Sequence, residues 1–126
     1  MTTRAPTSEL RETWRELMAS HARVSEALER ALQEKHDLSV SEFEVLQRLV
    51  ESPEGHRRMQ ELADEIHLSQ SALSRLVGRL EEAGLATRAI CDHDRRGIWA
   101  KVMPAGRAAH KRAEPTYREV LEATLR

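Results

Sequence analysis

Two stretches of this 126-residue sequence carry side chains whose types and spacing suit contact with nucleic acid. The first is QSALSRLVGRLEEA, residues 70–83. At helical period, Leu73, Leu76, Val77 and Leu80 share one face, which leaves Gln70, Ser71, Ser74, Arg75 and Arg79 on the other, with Ser69 immediately before them. The acidic pair Glu81 and Glu82 falls only in the last turn. Short polar and cationic groups on the first turns of a helix fit the major groove, where arginine forks onto a guanine edge and Ser or Gln reaches bases and phosphates. The second stretch is CDHDRRG, residues 91–97, in which Asp92 and Asp94 precede Arg95 and Arg96. An arginine at the tip of a hairpin enters the minor groove, drawn by its negative potential, while a nearby aspartate orients the guanidinium. Taken alone, each stretch also reads as solvated surface, an ordinary amphipathic helix followed by a charged loop. Their succession along the chain favours the nucleic-acid reading.

Other chemistries find little support. His21, His36, His56, His67, His93 and His110 form no HxxxH pair, and the single cysteine, Cys91, belongs to no CxxC pair, so no metal site is expected. Asp92 and Asp94 beside Cys91 disfavour a thiolate, and the thiol reads as inert. There is no glycine-rich phosphate loop, no GxSxG and no carboxylate pair in an apolar setting, so neither an enzyme nor a cofactor is expected.

The elements that must position these residues are mostly helices. Ahead of residue 70 lies MQELADEI, with Leu62, Ala63 and Ile66 inward, then only His67 and Leu68 before Ser69, a natural N-cap. With Gly84 as the residue that ends the second helix, the pair reads as a helix-turn-helix. LATRAIC and IWAKVMP flank the charged loop and read as two strands of a hairpin. Near the N-terminus, Leu10, Trp14, Leu17, His21, Val24, Leu28 and Ala31 recur at alternating spacings of four and three, one stripe on a long helix from Ser8 to Lys35. A second helix opens at Ser39, where Glu42 completes a capping box, and buries Phe43, Leu46, Leu49 and Val50 before SPEG. Pro104 starts a last helix with the stripe Ala109, Ala113, Tyr117, Val120 and Leu121, which Pro115 is expected to interrupt and kink.

The fold class is therefore mainly α with a small β-hairpin, a winged helix-turn-helix on a helical dimerisation platform. Residues 1–126 make one domain, with 8–36 and 105–126 as dimerisation helices and 39–104 as the DNA-binding winged helix. The first stripe is longer than one small domain can cover, so a homodimer is expected through Leu10, Trp14, Leu17, Val24, Tyr117, Val120 and Leu121. The net charge of −1 is unevenly spread: Met1–Leu68 holds nine Lys and Arg against fourteen Asp and Glu, whereas Ser69–Arg112 holds nine against four. The basic half is a phosphate-facing surface. MTTRAPTSELRETWREL contains no apolar run of the kind found in signal peptides or membrane spans, so the cytoplasm is the expected location.

The stretch ELADEIHLSQSALSRLVGRLEEAGLATR, followed by DHDRRG and VMPAG, resembles the MarR family of bacterial regulators. The resemblance implies a winged helix-turn-helix on a platform of N- and C-terminal helices, a palindromic operator in double-stranded DNA, and repression relieved by a small aromatic effector. It implies that Arg96 is the wing-tip arginine with Asp94 as its partner. It also implies an effector pocket near Trp14 and His21, where the first helix meets the winged domain. Two features depart from the family pattern: Met103 stands where a capping Thr or Ser is common, and the further C-terminal helix usual in the family does not follow Arg126. The alternative is a winged helix used for protein contacts without specific DNA binding.

Overall fold

The computed structural model describes residues 4–90 and 97–125. Along them run α1 (Arg4–His36), α2 (Val40–Glu51), a short 3-10 turn (Pro53–Gly55), β1 (His56–Arg58), α3 (Met59–Glu65), α4 (Gln70–Glu82), β2 (Ala86–Ile90), β3 (Ile98–Val102) and α5 (Pro104–Leu125). The strands form one antiparallel sheet in the order β1-β3-β2, with Ala86 opposite Val102, Ile90 opposite Ile98 and Arg58 opposite Trp99. The expected hairpin is thus present, and β1 widens it to three strands.

Local chemistry explains where the helices start and stop. Ser39 accepts from the Glu42 N–H at 3.0 Å, and Glu42 accepts in return from the Ser39 N–H at 2.8 Å, the reciprocal capping box that opens α2. Ser69 caps α4 by accepting from the Ala72 N–H at 3.1 Å. At the far end of α4, Gly84 adopts φ +76°, which lets the Leu85 N–H turn back onto the Leu80 carbonyl at 2.9 Å. The turn between α3 and α4 is built the same way on a costlier residue: His67 sits at φ +59°, and the Leu68 N–H reaches the Ala63 carbonyl at 2.9 Å.

The core lies where α2, α3 and α4 meet the sheet and the inner halves of α1 and α5. Phe43, Leu46, Leu49, Leu62, Leu73, Val77 and Leu80 are wholly buried. From α1 it takes Leu28 and Leu32, so the inward edge of that helix includes Leu32, which the expected stripe passed over in favour of half-buried Ala31. Gly106 sets how closely α5 lies on the winged half. A Cβ there would stand 2.0 Å from the Leu85 carbonyl oxygen, so only glycine permits this approach.

One expectation is corrected. α5 runs unbroken through Pro115 from Pro104 to Leu125. Proline removes a single hydrogen bond, to the Lys111 carbonyl, and both Pro115 and Lys111 lie on the exposed side where water reaches that carbonyl. At the start of α5, Pro104 needs no partner for an N–H and the Arg107 N–H bonds the Met103 carbonyl at 3.0 Å, so the first turn closes on backbone.

Candidate nucleic-acid interface

Leu73, Leu76, Val77 and Leu80 anchor α4 to the core, and their burial aims the opposite face outward. On that face Gln70, Ser71 and Arg75 are exposed, and Arg75 has no partner among the described residues. Ser69 is exposed but its hydroxyl is committed to the cap. Arg79 leans toward α2, its Nε 4.0 Å from Glu42 Oε2. Ser74 is turned toward the wing. Its Oγ and carbonyl oxygen accept from Arg88 Nη1 and Nη2 at 3.3 and 2.7 Å.

Arg88, on β2, was not among the residues expected from sequence, and it braces the wing against the recognition helix. Besides the two bonds to Ser74, its Nε lies 3.1 Å from Glu81 Oε1, and its backbone N–H donates to Glu81 Oε2 at 3.1 Å. The guanidinium thus spans two turns of α4. Gly78 lies beneath it: a Cβ at that position would come within 3.0 Å of Arg88 Nη2. A glycine inside an exposed helix costs roughly 1 kcal/mol of propensity, and here it makes room for the brace. Arg88 therefore fixes the angle between α4 and β2, and with it the distance between groups that reach one groove and groups that reach the next.

A groove of about 620 Å³ runs along this front, lined by Gln60 of α3, by Gln70, Ser71 and Ser74 of α4, by Arg88, and by Gly97 and Ile98 at the foot of the wing. Arg58 borders it too, its guanidinium 5.4 Å from the centre of the Trp99 ring. β1 is held to α3 by Arg57, whose Nε donates to Glu65 Oε1 at 2.9 Å and whose Nη2 meets Glu65 Oε2. That pairing holds the Glu65 carboxyl below the usual carboxylate range. Asp94, Arg95 and Arg96, with Cys91, lie outside the described residues.

The platform residues divide into two groups. Tyr117 stacks on Phe43 at 4.4 Å and donates its hydroxyl to Glu44 at 3.2 Å; burial first, then Glu44, pushes its pKa up to about 12. Tyr117, Val24, Val120 and Leu121 are half-buried within this chain. Leu10, Trp14 and Leu17 are instead 70, 61 and 59% exposed, and Met18 beside them is 46% exposed. Trp14 therefore stands on a free face of α1, away from the winged half. His21 does reach the junction. There it borders a cleft of about 440 Å³ between α1, α2, the end of α3 and α5, lined also by Val24, Leu28, Val40, Glu44, Ile66 and Tyr117.

Among the described residues no His, Cys, Asp and Glu side chains group as a metal site, and no helix is long and apolar enough to cross a membrane. Residues 36–97 match the model of the MarR family. Among solved structures, the fold is similar to Sco3205 of Streptomyces coelicolor, a MarR family transcriptional regulator in complex with DNA (29% identity over 93% of this chain and 73% of that one, TM-score 0.85). It is similar to AbsC of the same organism, also a MarR family transcriptional regulator (29% identity, 90% of this chain and 76% of that one, TM-score 0.83). A further similar structure is CouR of Rhodococcus jostii RHA1 bound to p-coumaroyl-CoA (25% identity, 82% of this chain and 70% of that one, TM-score 0.74). No curated protein sequence matches the chain.

Proposed function

The chain belongs to the MarR family, and from that premise we propose that it is a sequence-specific, DNA-binding transcription regulator, acting in the cytoplasm as a homodimer on a palindromic operator. The observation that carries the reading is the exposed edge Gln70, Ser71 and Arg75, held on a capped, core-anchored α4 beside a wing that Arg88 clamps in place. A protein-contact module has no need of a rigid spacing between helix and wing. A reader of two adjacent grooves does. The protein is a regulator and not an enzyme, and it represses until a small molecule binds at the junction between platform and winged helix.

In this reading Arg75 meets a base edge in the major groove, and Arg79, one turn further from the helix N-terminus, exchanges its long contact with Glu42 for a phosphate. Ser69, Gln70, Ser71 and Ser74 border the same groove. Arg96 enters the minor groove with Asp94 as its support, and Arg95 adds charge beside it. Operator affinity measured against salt separates these roles. Arg75→Ala is expected to cost roughly 1–3 kcal/mol and to relax preference at one position per half-site. Arg79→Ala is expected to weaken all sequences alike and to lower the salt slope by about 1 per subunit. Equal loss of specificity in both variants contradicts the assignment. Binding of the wild type that is weak and indifferent to sequence favours the protein-contact alternative.

A further inference from the structure

The junction cleft differs in charge from a site for aromatic acids. Its walls are apolar where α1 supplies Val24 and Leu28, α2 supplies Val40, the end of α3 supplies Ile66 and α5 supplies Leu121. Two carboxylates border it, Glu29 from α1 and Glu44 from α2. Neither forms an ion pair among the described residues: Glu29 accepts from Gln33 Nε2 at 3.4 Å and from the Val40 N–H at 3.3 Å, and Glu44 accepts from the Tyr117 hydroxyl. No lysine or arginine lines the cleft, and His21, whose Nε2 lies 3.4 Å from Ser25 Oγ, is its one basic side chain. Even a protonated His21 leaves the cleft net negative. Arg48 borders the adjoining groove on the other side of Glu44, where Glu51 and Glu65 are also found. Tyr117 keeps its proton and acts as a donor to Glu44, so it adds no positive charge.

We propose that this cleft takes a small organic cation with an apolar body, an arylalkyl amine or quaternary ammonium, and discriminates against aromatic carboxylates. The proposal rests on the reading of the junction as the effector site and names the class of effector. An anion placed there meets two carboxylates in a partly desolvated setting with no fixed cation to receive it, whereas an ammonium finds both as acceptors and Tyr117 as an aromatic wall. The volume, about 440 Å³, suits a single-ring molecule. The cleft also touches the part of the fold that must move. Ile66 ends α3, its N–H on the Leu62 carbonyl at 3.0 Å, and His67 and Leu68 make the turn into α4. A ligand against Ile66 on one side and α1 and α5 on the other biases the seating of the helix-turn-helix on its platform, and it releases DNA to the extent that it prefers the displaced arrangement.

The test uses the full chain and three matched probes, 2-phenylethylamine, phenylacetate and 2-phenylethanol. Each is titrated by calorimetry and added to operator-bound protein, with wild type, Glu44→Gln and Glu29→Gln. Glutamine keeps the acceptor oxygen for Tyr117 or for the Val40 N–H while removing the charge. The amine is expected to bind at least about tenfold more tightly than the acid, with the alcohol between them, and each variant is expected to narrow that gap. An acid that binds as well as the amine overturns the charge assignment and leaves the junction standing as the effector site. Amine binding that neither substitution weakens overturns its placement in this cleft. Three probes that neither bind nor shift operator affinity overturn the effector reading of the junction itself, and the present proposal with it.

Discussion

His110 faces Phe43 across the α2–α5 contact, its ring stacked at 5.1 Å and its Nε2 buried without a partner among the described residues. Burial lowers its pKa from the ordinary imidazole value, and the opposing pull of Glu114 and then Glu51 only partly offsets that. The unfolded chain therefore takes up this proton at higher pH than the folded one. The site's contribution to stability is complete above the unfolded value, about 6.5, and is lost as pH falls through the lower folded value. Melting of the wild type and of His110→Phe, which keeps a stacked ring and removes the titration, is the check. The wild type is expected to lose more stability than the variant between about pH 7.5 and pH 5.5, and parallel losses contradict the assignment. Residues of this kind are hidden in a sequence, because an imidazole on an alanine-rich helix gives no sign of what packs over it. The exposed edge of α4 was legible residue by residue, since its four inward leucines and valine fix which positions remain outside.

Between elements, the contact with most bearing on function is the brace from β2 to α4. Arg88→Met removes the guanidinium fork. Arg88→Lys keeps a charge but cannot span Ser74 and Glu81 together. Both variants are expected to lose the wing's contribution to binding, seen as a loss of preference for operators with narrow, A·T-rich flanks, while preference at the bases read by α4 survives. If Arg88→Lys binds both kinds of flank as the wild type does, Arg88 acts through its charge and not as a brace. The helices, their caps at Ser39 and Ser69, and the end of α4 at Gly84 were all readable, because each is written in local residue types at fixed spacing. β1 was not. Three residues, HRR, show no alternation, and they form a strand only because β3 offers an edge to pair with. Arg88 went unread for the same reason, its partners lying fourteen and seven positions away on another element.

On the scale of the whole molecule, the unsatisfied feature is the first half of α1. Arg23 reaches the Thr124 carbonyl at 3.3 Å and His36 the Thr116 hydroxyl at 2.8 Å, so α1 and α5 run antiparallel. From Leu10 to Ala19 every residue of α1 is exposed, Leu10, Trp14, Leu17 and Met18 included. Such a row of large apolar side chains is unfavourable in water and is the surface expected to meet a second copy. Sedimentation at micromolar concentration is expected to give a dimer, and Trp14→Glu with Leu17→Glu to give a folded monomer with unchanged helix content; a wild-type monomer contradicts this arrangement. The dimer matters because two recognition helices related by a two-fold axis read a symmetric site. The central claim is therefore tested most directly by selecting duplexes bound by the full chain from a random DNA pool. The account predicts a palindromic consensus whose half-sites lie about one helical turn, roughly 10 base pairs, apart. A selected pool without sequence preference, bound no more tightly than bulk DNA, contradicts it.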